Sequence, residues 1–177
     1  RMKILGLADV EVPAVYNPHI KKRFRDIELV ISCGDLPPAY LEFVVSMLDL
    51  PLYYVHGNHV QKIRDDEGNI HTEPPGAINL HENIFYDEKN DLILAGIEGS
   101  LIYNFGPYQY SQKRMWKMVY GLVPRLMMNK NTYGRYFDIF VTHAPSAGIH
   151  DEDDPAHQGV DAFRWLIETF KPRLHLH

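Results

Sequence analysis

Four short polar segments in this chain carry side chains able to hold a metal ion or move a proton: Asp9, Gly34-Asp35, Gly57-Asn58-His59 and Thr142-His143. Two carboxylates, one amide oxygen and imidazole nitrogens make a mixed donor set. Such a set suits manganese, iron or zinc better than calcium or copper. Two such ions meet both needs of phosphoester hydrolysis, a nucleophile at neutral pH and relief of charge on the transferring phosphoryl group. A histidine beside them can protonate the leaving oxygen. Taken singly, an Asp or His after an apolar run is more often a turn former or a helix cap. Four in one chain turn the reading towards a shared site.

What would bring these side chains together is the run that precedes each of them. Residues 3 to 8 form an apolar stretch that stops at Asp9, and residues 27 to 33 stop at Gly34-Asp35. Leu52 to Val55 leads into His56-Gly57-Asn58-His59, and Phe137 to Thr142 leads into His143. All read as buried strands. Pro37-Pro38 opens a helix in which Leu41, Val44, Val45 and Leu48 recur at helical spacing, so strand, helix and strand fit one parallel crossover unit. In open parallel sheets, loops past the carboxyl ends of the strands converge on one crevice, where each of these polar segments falls.

Further along, residues 65 to 76 hold turn signals and read as a surface loop, and Leu92 to Ile97 resumes strand character. Met115, Met118, Val119, Leu122, Leu126 and Met127 mark one face of a helix over residues 111 to 129, with a bend expected at Pro124. Val160, Phe163, Ile167 and Phe170 describe a second amphipathic helix, followed by a strand over residues 173 to 177. Strand and helix alternation gives an α/β fold. No repeat or linker divides the 177 residues, which are expected to form one domain.

Bulk properties narrow the partners. A net charge of -5 supplies no broad positive field, which argues against duplex nucleic acid and leaves a small phosphorylated substrate. Apolar runs such as residues 92 to 95 are too short to span a bilayer, so no membrane association is expected. Cys33 is the single cysteine, so no intramolecular disulfide forms and a reducing cytoplasm is the expected compartment. No G-x-G-x-x-G follows the first strand, which argues against a dinucleotide site.

In order and strand-end context, Asp9, Gly34-Asp35, Gly57-Asn58-His59 and Thr142-His143 resemble the calcineurin-like metallophosphoesterases, and the resemblance runs through nearly the whole chain. It implies a two-sheet sandwich flanked by helices, with a metal crevice at the strand carboxyl ends. It also implies two divalent ions, manganese foremost and iron or zinc as alternatives. Asp35 would bridge them, Asp9 would serve the first, Asn58 and His143 the second, and His59 would be the general acid. The implied nucleophile is a hydroxide shared by the metals, acting on a phosphomonoester or phosphodiester.

Three positions depart from the family pattern. Glu11 stands where the family commonly has His, and either ligates in its place or points to solvent. Val60 stands where an acidic residue often follows Gly-Asn-His, so His59 needs another orienting partner. The family closes its site with Gly-His-x-His, whereas here His175-Leu176-His177 comes last. Alternate residues of a strand face one way, so His175 and His177 could both ligate. The favoured expectation is that the C-terminal portion of the domain, with that motif, is missing. These departures motivate an alternative, a scaffold or binding protein on the same fold with weak or no catalysis.

Other candidates are weaker. His150 and His157 flank the acidic run 151 to 154, which reads either as a solvated loop or as the border of the substrate pocket, with His157 offering a donor to phosphate. His56 reads as structural, and the sequence alone assigns no contact to His19, His71 or His81. Tyr103, Tyr108, Tyr110 and Trp116 could wall a pocket for a base or aryl group, but core or interface packing is the expected role.

Overall fold

The computed structural model describes residues 2–59, 62–64, 67–151, 154 and 158–177. Val60 and His157 lie outside the described residues. The described chain is mixed α/β. Apolar runs form β1 (Ile4–Leu7), β2 (Leu29–Ser32) and β3 (Leu52–Tyr54), with a short α1 (Ile20–Arg23) and α2 (Pro38–Leu48) between them. Two-residue pairings follow as β4 (Ile63–Arg64), β5 (Ile70–His71) and β6 (Ile78–Asn79). The second half contributes β7 (Asn83–Asp87), β8 (Leu92–Ile97), β9 (Ser100–Leu101), β10 (Gln109–Tyr110) and α3 (Gln112–Tyr133). It closes with β11 (Ile139–Thr142), α4 (Asp161–Phe170) and β12 (Leu174–Leu176).

Two four-stranded sheets organise these elements. One runs β1-β2-β3-β6 and is parallel throughout. The other runs β12-β11-β8-β7, parallel except for the antiparallel pair of β7 with β8. Parallel strands buried on both faces need continuous apolar runs, which is why β2 and β8 are buried at every position. One core cluster joins Leu29, Ile31 and Tyr53 of the first sheet to Leu94, Ile139 and Val141 of the second. The sheets therefore share a core. Leu41, Val44 and Leu48 of α2 pack with Val30 and Leu52 of the first sheet. Met115, Met118, Val119 and Leu122 of α3 pack with Phe163 and Leu166 of α4 over Ile93 and Phe140 of the second.

Local chemistry sets the helix ends. Ser111 Oγ accepts from the Arg114 N–H at the start of α3, and Gly134, at φ 72°, ends it with its N–H on the Lys130 carbonyl. The helix runs to Tyr133, four residues past the stop expected from its apolar face, and it continues through Pro124. Asp138, buried before β11, accepts from the Ile93 N–H at 2.9 Å and from Arg135 Nε at 3.0 Å, tying β8 to β11. No helix among the described residues is long and apolar enough to cross a membrane.

Candidate metal centre

The parallel strands deliver their polar followers to one end of the molecule. Asp9 and Asp35 both adopt left-handed backbone, at φ 59° and 56°, as the chain turns out of β1 and β2. Asp tolerates that region better than most side chains, at a cost of about 1 kcal/mol or more each. Hydrogen bonds hold the turns: the Asp9 N–H donates to the Gly34 carbonyl at 3.2 Å, and the His59 N–H donates to Asp35 Oδ1 at 2.8 Å. Gly34, at φ 108°, lies against Gly57 so closely that a Cβ on it would stand 2.5 Å from the Gly57 nitrogen. Two glycines in contact let the loops after β2 and β3 share this space.

The donor atoms then converge. Ligand atoms of Asp9, Asp35 and His143 all lie within 4.8 Å of one another. His143 Nδ1 is 2.9 Å from the Cys33 carbonyl, an acceptor only, so Nδ1 carries the proton of the neutral ring and Nε2 a lone pair. That lone pair meets Asn58 Oδ1 at 2.9 Å and Asp35 Oδ2 at 3.4 Å. The amide is turned this way because its Nδ2 donates to the Tyr103 hydroxyl at 2.8 Å. Three acceptors thus face one point without a donor among them. A proton on His143 or a cation between them satisfies the arrangement, and neutral water cannot do so fully. With bonds of about 2.0–2.2 Å to N and O ligands, a divalent ion fits a cluster of this spread after a small closure.

A cleft of about 370 Å³ opens on this cluster, lined by Asp9, Asp35, Asn58, His59, Tyr103, His143, His150 and His177 among others. This brings together five of the expected centre residues, and His150 and His177 line the same cleft. Glu11 is exposed and outside that lining, where its negative charge bears instead on Tyr40. His175 is also outside it. The rings of His175 and His177 lie 5.1 Å apart, but only His177 reaches the cleft. His175 stacks on Phe140 with its Nε2 2.8 Å from Thr142 Oγ1. Thr142 gives its own proton to the Ala144 carbonyl, so His175 Nε2 is the donor in that pair and has no lone pair for a metal there. Alternate strand residues share a face but stand about 7 Å apart along it, which puts one histidine in the cleft and the other beneath.

Burial, and then the charges of His177 and His150, hold the His175 ring down to about 4. Unfolded chain binds a proton there near 6.5 and folded chain does not, so stability rises with pH across that window and is lost on acidification. The loss is at most about 3 kcal/mol. Urea unfolding at pH 7 and pH 4.5 should show a smaller acid loss in His175→Gln than in the unmodified chain, and equal losses would remove His175 as the source.

Two further groups have settled roles. Burial, then the Asp9 charge, pushes the Cys33 thiol up to about 12, so it stays protonated at neutral pH. His81 has a partner after all: its Nδ1 accepts the Glu98 N–H and its Nε2 lies 3.3 Å from Glu98 Oε1. Sequence reasoning gave Tyr103 a packing role, yet its hydroxyl lies inside the site. The usable signal was Glu98-Gly99-Ser100, a polar segment after β8 like those after the other strands. No family model matches this chain, and no curated protein matches it.

Proposed function

We propose that this chain is a metal-dependent phosphoesterase of the calcineurin-like metallophosphoesterase kind, hydrolysing a phosphomonoester or phosphodiester of a small molecule. One observation carries the reading: Asp35 Oδ2, Asn58 Oδ1 and His143 Nε2 converge without a donor, each held from behind by a hydrogen bond that aims its lone pair inward. Two sheets sharing a core, with helices outside, agree with the sandwich expected of that family. By the same reading Asp9, Asp35, Asn58 and His143 would hold two divalent ions; manganese is the first choice, with iron or zinc as alternatives. Bound there, the ions would supply a nucleophile at neutral pH and neutralise charge on the phosphoryl group.

The chain's own residues do the rest. A new P–O bond forms from water as the ester P–O bond breaks in line, and the leaving oxygen takes its proton from His59, which regains one from the water consumed. His59 lines the cleft beside Asp35, to which its backbone N–H is bonded. With a net charge of -5, the chain has no general attraction for a polyanion, and the proposed substrate is held locally at the centre. Buried, protonated Cys33 accords with a reducing cytoplasm as the proposed compartment.

The test is turnover of aryl and alkyl phosphates and phosphodiesters with manganese, beside His59→Ala. His59→Ala is expected to keep its metal and lose turnover by about 10²-fold or more. No turnover in the unmodified protein, with no metal bound on elemental analysis, sinks the proposal. A scaffold on the same fold is the second reading, favoured by the exposure of Glu11 away from the cleft. It predicts full metal occupancy at no more than one site and no turnover.

A further inference from the structure

We infer that Tyr103 is the positioning residue of this centre, orienting His59 and Asn58 through one hydroxyl; the inference rests on the phosphoesterase reading for its catalytic half only. Tyr103 sits in the loop between β9 and β10. That loop is braced from within: Gln109 Oε1 accepts the N–H groups of Tyr103 and Asn104 at 3.1 and 3.2 Å, and Gln109 Nε2 donates to Asn104 Oδ1 at 2.6 Å. The hydroxyl is therefore delivered by a loop that its own hydrogen bonds brace.

A phenol has one proton and two lone pairs. Here it accepts from Asn58 Nδ2 at 2.8 Å and stands 3.3 Å from His59 Nε2. In the neutral ring the phenol proton goes to His59 Nε2, with the ring's own proton on Nδ1; in the protonated ring that serves as acid, Nε2–H donates to the hydroxyl instead, and either form is held over the cleft. While that proton is committed to the neutral ring, Tyr103 offers Asn58 only lone pairs, so the amide turns Nδ2 to the hydroxyl and Oδ1 towards His143. Without the hydroxyl the amide is free to flip. Nδ2 would then donate to the same acceptors and take the place of a cation. This one hydroxyl thus supplies the partner that Val60, in place of an acidic residue, denies to His59.

Tyr103→Phe removes the oxygen and keeps the ring. Manganese affinity, read by electron paramagnetic resonance of the free ion, is expected to fall about tenfold or more, the usual penalty for losing a group that orients a ligand. At saturating manganese, kcat should fall about 100-fold on an alkyl phosphate, whose leaving oxygen needs a proton, and less than tenfold on 4-nitrophenyl phosphate. Adding Tyr103→Phe to His59→Ala should cost no further kcat on the alkyl ester. Nitrogen-15 spectra of the metal-free unmodified protein should place the neutral His59 proton on Nδ1, and this decides the matter if the Phe variant does not fold. Unchanged manganese affinity, an equal loss on both esters, or a His59 proton on Nε2 overturns the inference. If the unmodified protein turns over no ester, the phosphoesterase reading fails by itself, and manganese affinity with the nitrogen spectra still decides the role of Tyr103.

Discussion

Asp35→Asn is expected to abolish manganese binding and phosphoester turnover while leaving the metal-free protein as stable as the parent, or more stable by about 1 kcal/mol. Asp35 Oδ1 accepts the His59 N–H, and an amide oxygen does the same. Asp35 Oδ2 faces Asn58 Oδ1 and His143 Nε2 as a third acceptor. An amide nitrogen there donates to them and relieves the repulsion. What the substitution removes is the negative charge and lone pair that hold a cation. Turnover should drop on the order of 10³-fold or more, since both the nucleophile and the charge relief depend on that cation. Thermal melting separates this from a structural role. Manganese at about 100 times its Kd stabilises a protein that binds it by about 2.7 kcal/mol, and the Asn variant should show no such gain. An Asn variant that melts lower without metal, yet still gains from manganese, would contradict the assignment of Asp35.

Gly34→Ala is expected to be the most destabilising single methyl addition in the centre, at about 3–5 kcal/mol from strained backbone and overpacking together. At φ 108° an L side chain is strained wherever it points, and the new Cβ would stand 2.5 and 2.8 Å from the Gly57 nitrogen and Cα, and 2.9 Å from His143 Nδ1. Two of those atoms are backbone, so nothing can rotate aside, and the ends of β2 and β3 must separate. Against a typical domain stability of about 5–15 kcal/mol, that is a large fraction. Gly57→Ala is the informative contrast, because its Cβ would fall chiefly on the carboxylate of Asp35, a side chain able to swing away, although the Asp35 backbone nitrogen is also close at 2.8 Å. It should lose the metal site and keep more of its stability. Gly121, inside α3 with nothing near its Cβ position, provides the control: Gly121→Ala should stabilise by about 0.5–1 kcal/mol. Urea midpoints of the three variants measure the order, and Gly34→Ala melting with the control would refute the close-contact argument.

How much of this was legible beforehand varied with the kind of signal. Strands β1, β2, β3, β8 and β11 were readable because each is a continuous apolar run ended by a polar residue, the pattern of a strand buried on both faces. Strand β7, Asn-Ile-Phe-Tyr-Asp, escaped because it mixes exposed and buried positions and pairs antiparallel with β8. The two-residue strands β4 to β6, β9 and β10 have no periodicity long enough to detect. The four residues by which α3 outruns its expected end, Lys130 to Tyr133, are all exposed, so no buried apolar stripe marked them, and Gly134 sets the stop. Pro124 was expected to bend that helix. The helix runs on through it, and its neighbours Leu122 and Leu126 are both buried in the core.

At the centre, sequence alone determined the donor types and their order: Asp9, Asp35, Asn58, His59 and His143, each just past an apolar strand. That much follows from local chemistry, because a parallel strand must be apolar and its carboxyl end must turn. Which atoms face which was decided only in three dimensions. His143 reads its tautomer from Cys33, 110 residues away, and aims at Asn58, 85 residues away. Tyr103 moved from packing to the heart of the site, Glu11 stayed outside the cleft, and His177 parted from His175 although they are two residues apart. Spacing along a chain fixes the side of a strand on which a residue lies. Depth in a cleft, the turn of an amide and the nitrogen that carries a proton depend on what the neighbouring strands and loops present, and these come from the far ends of the chain.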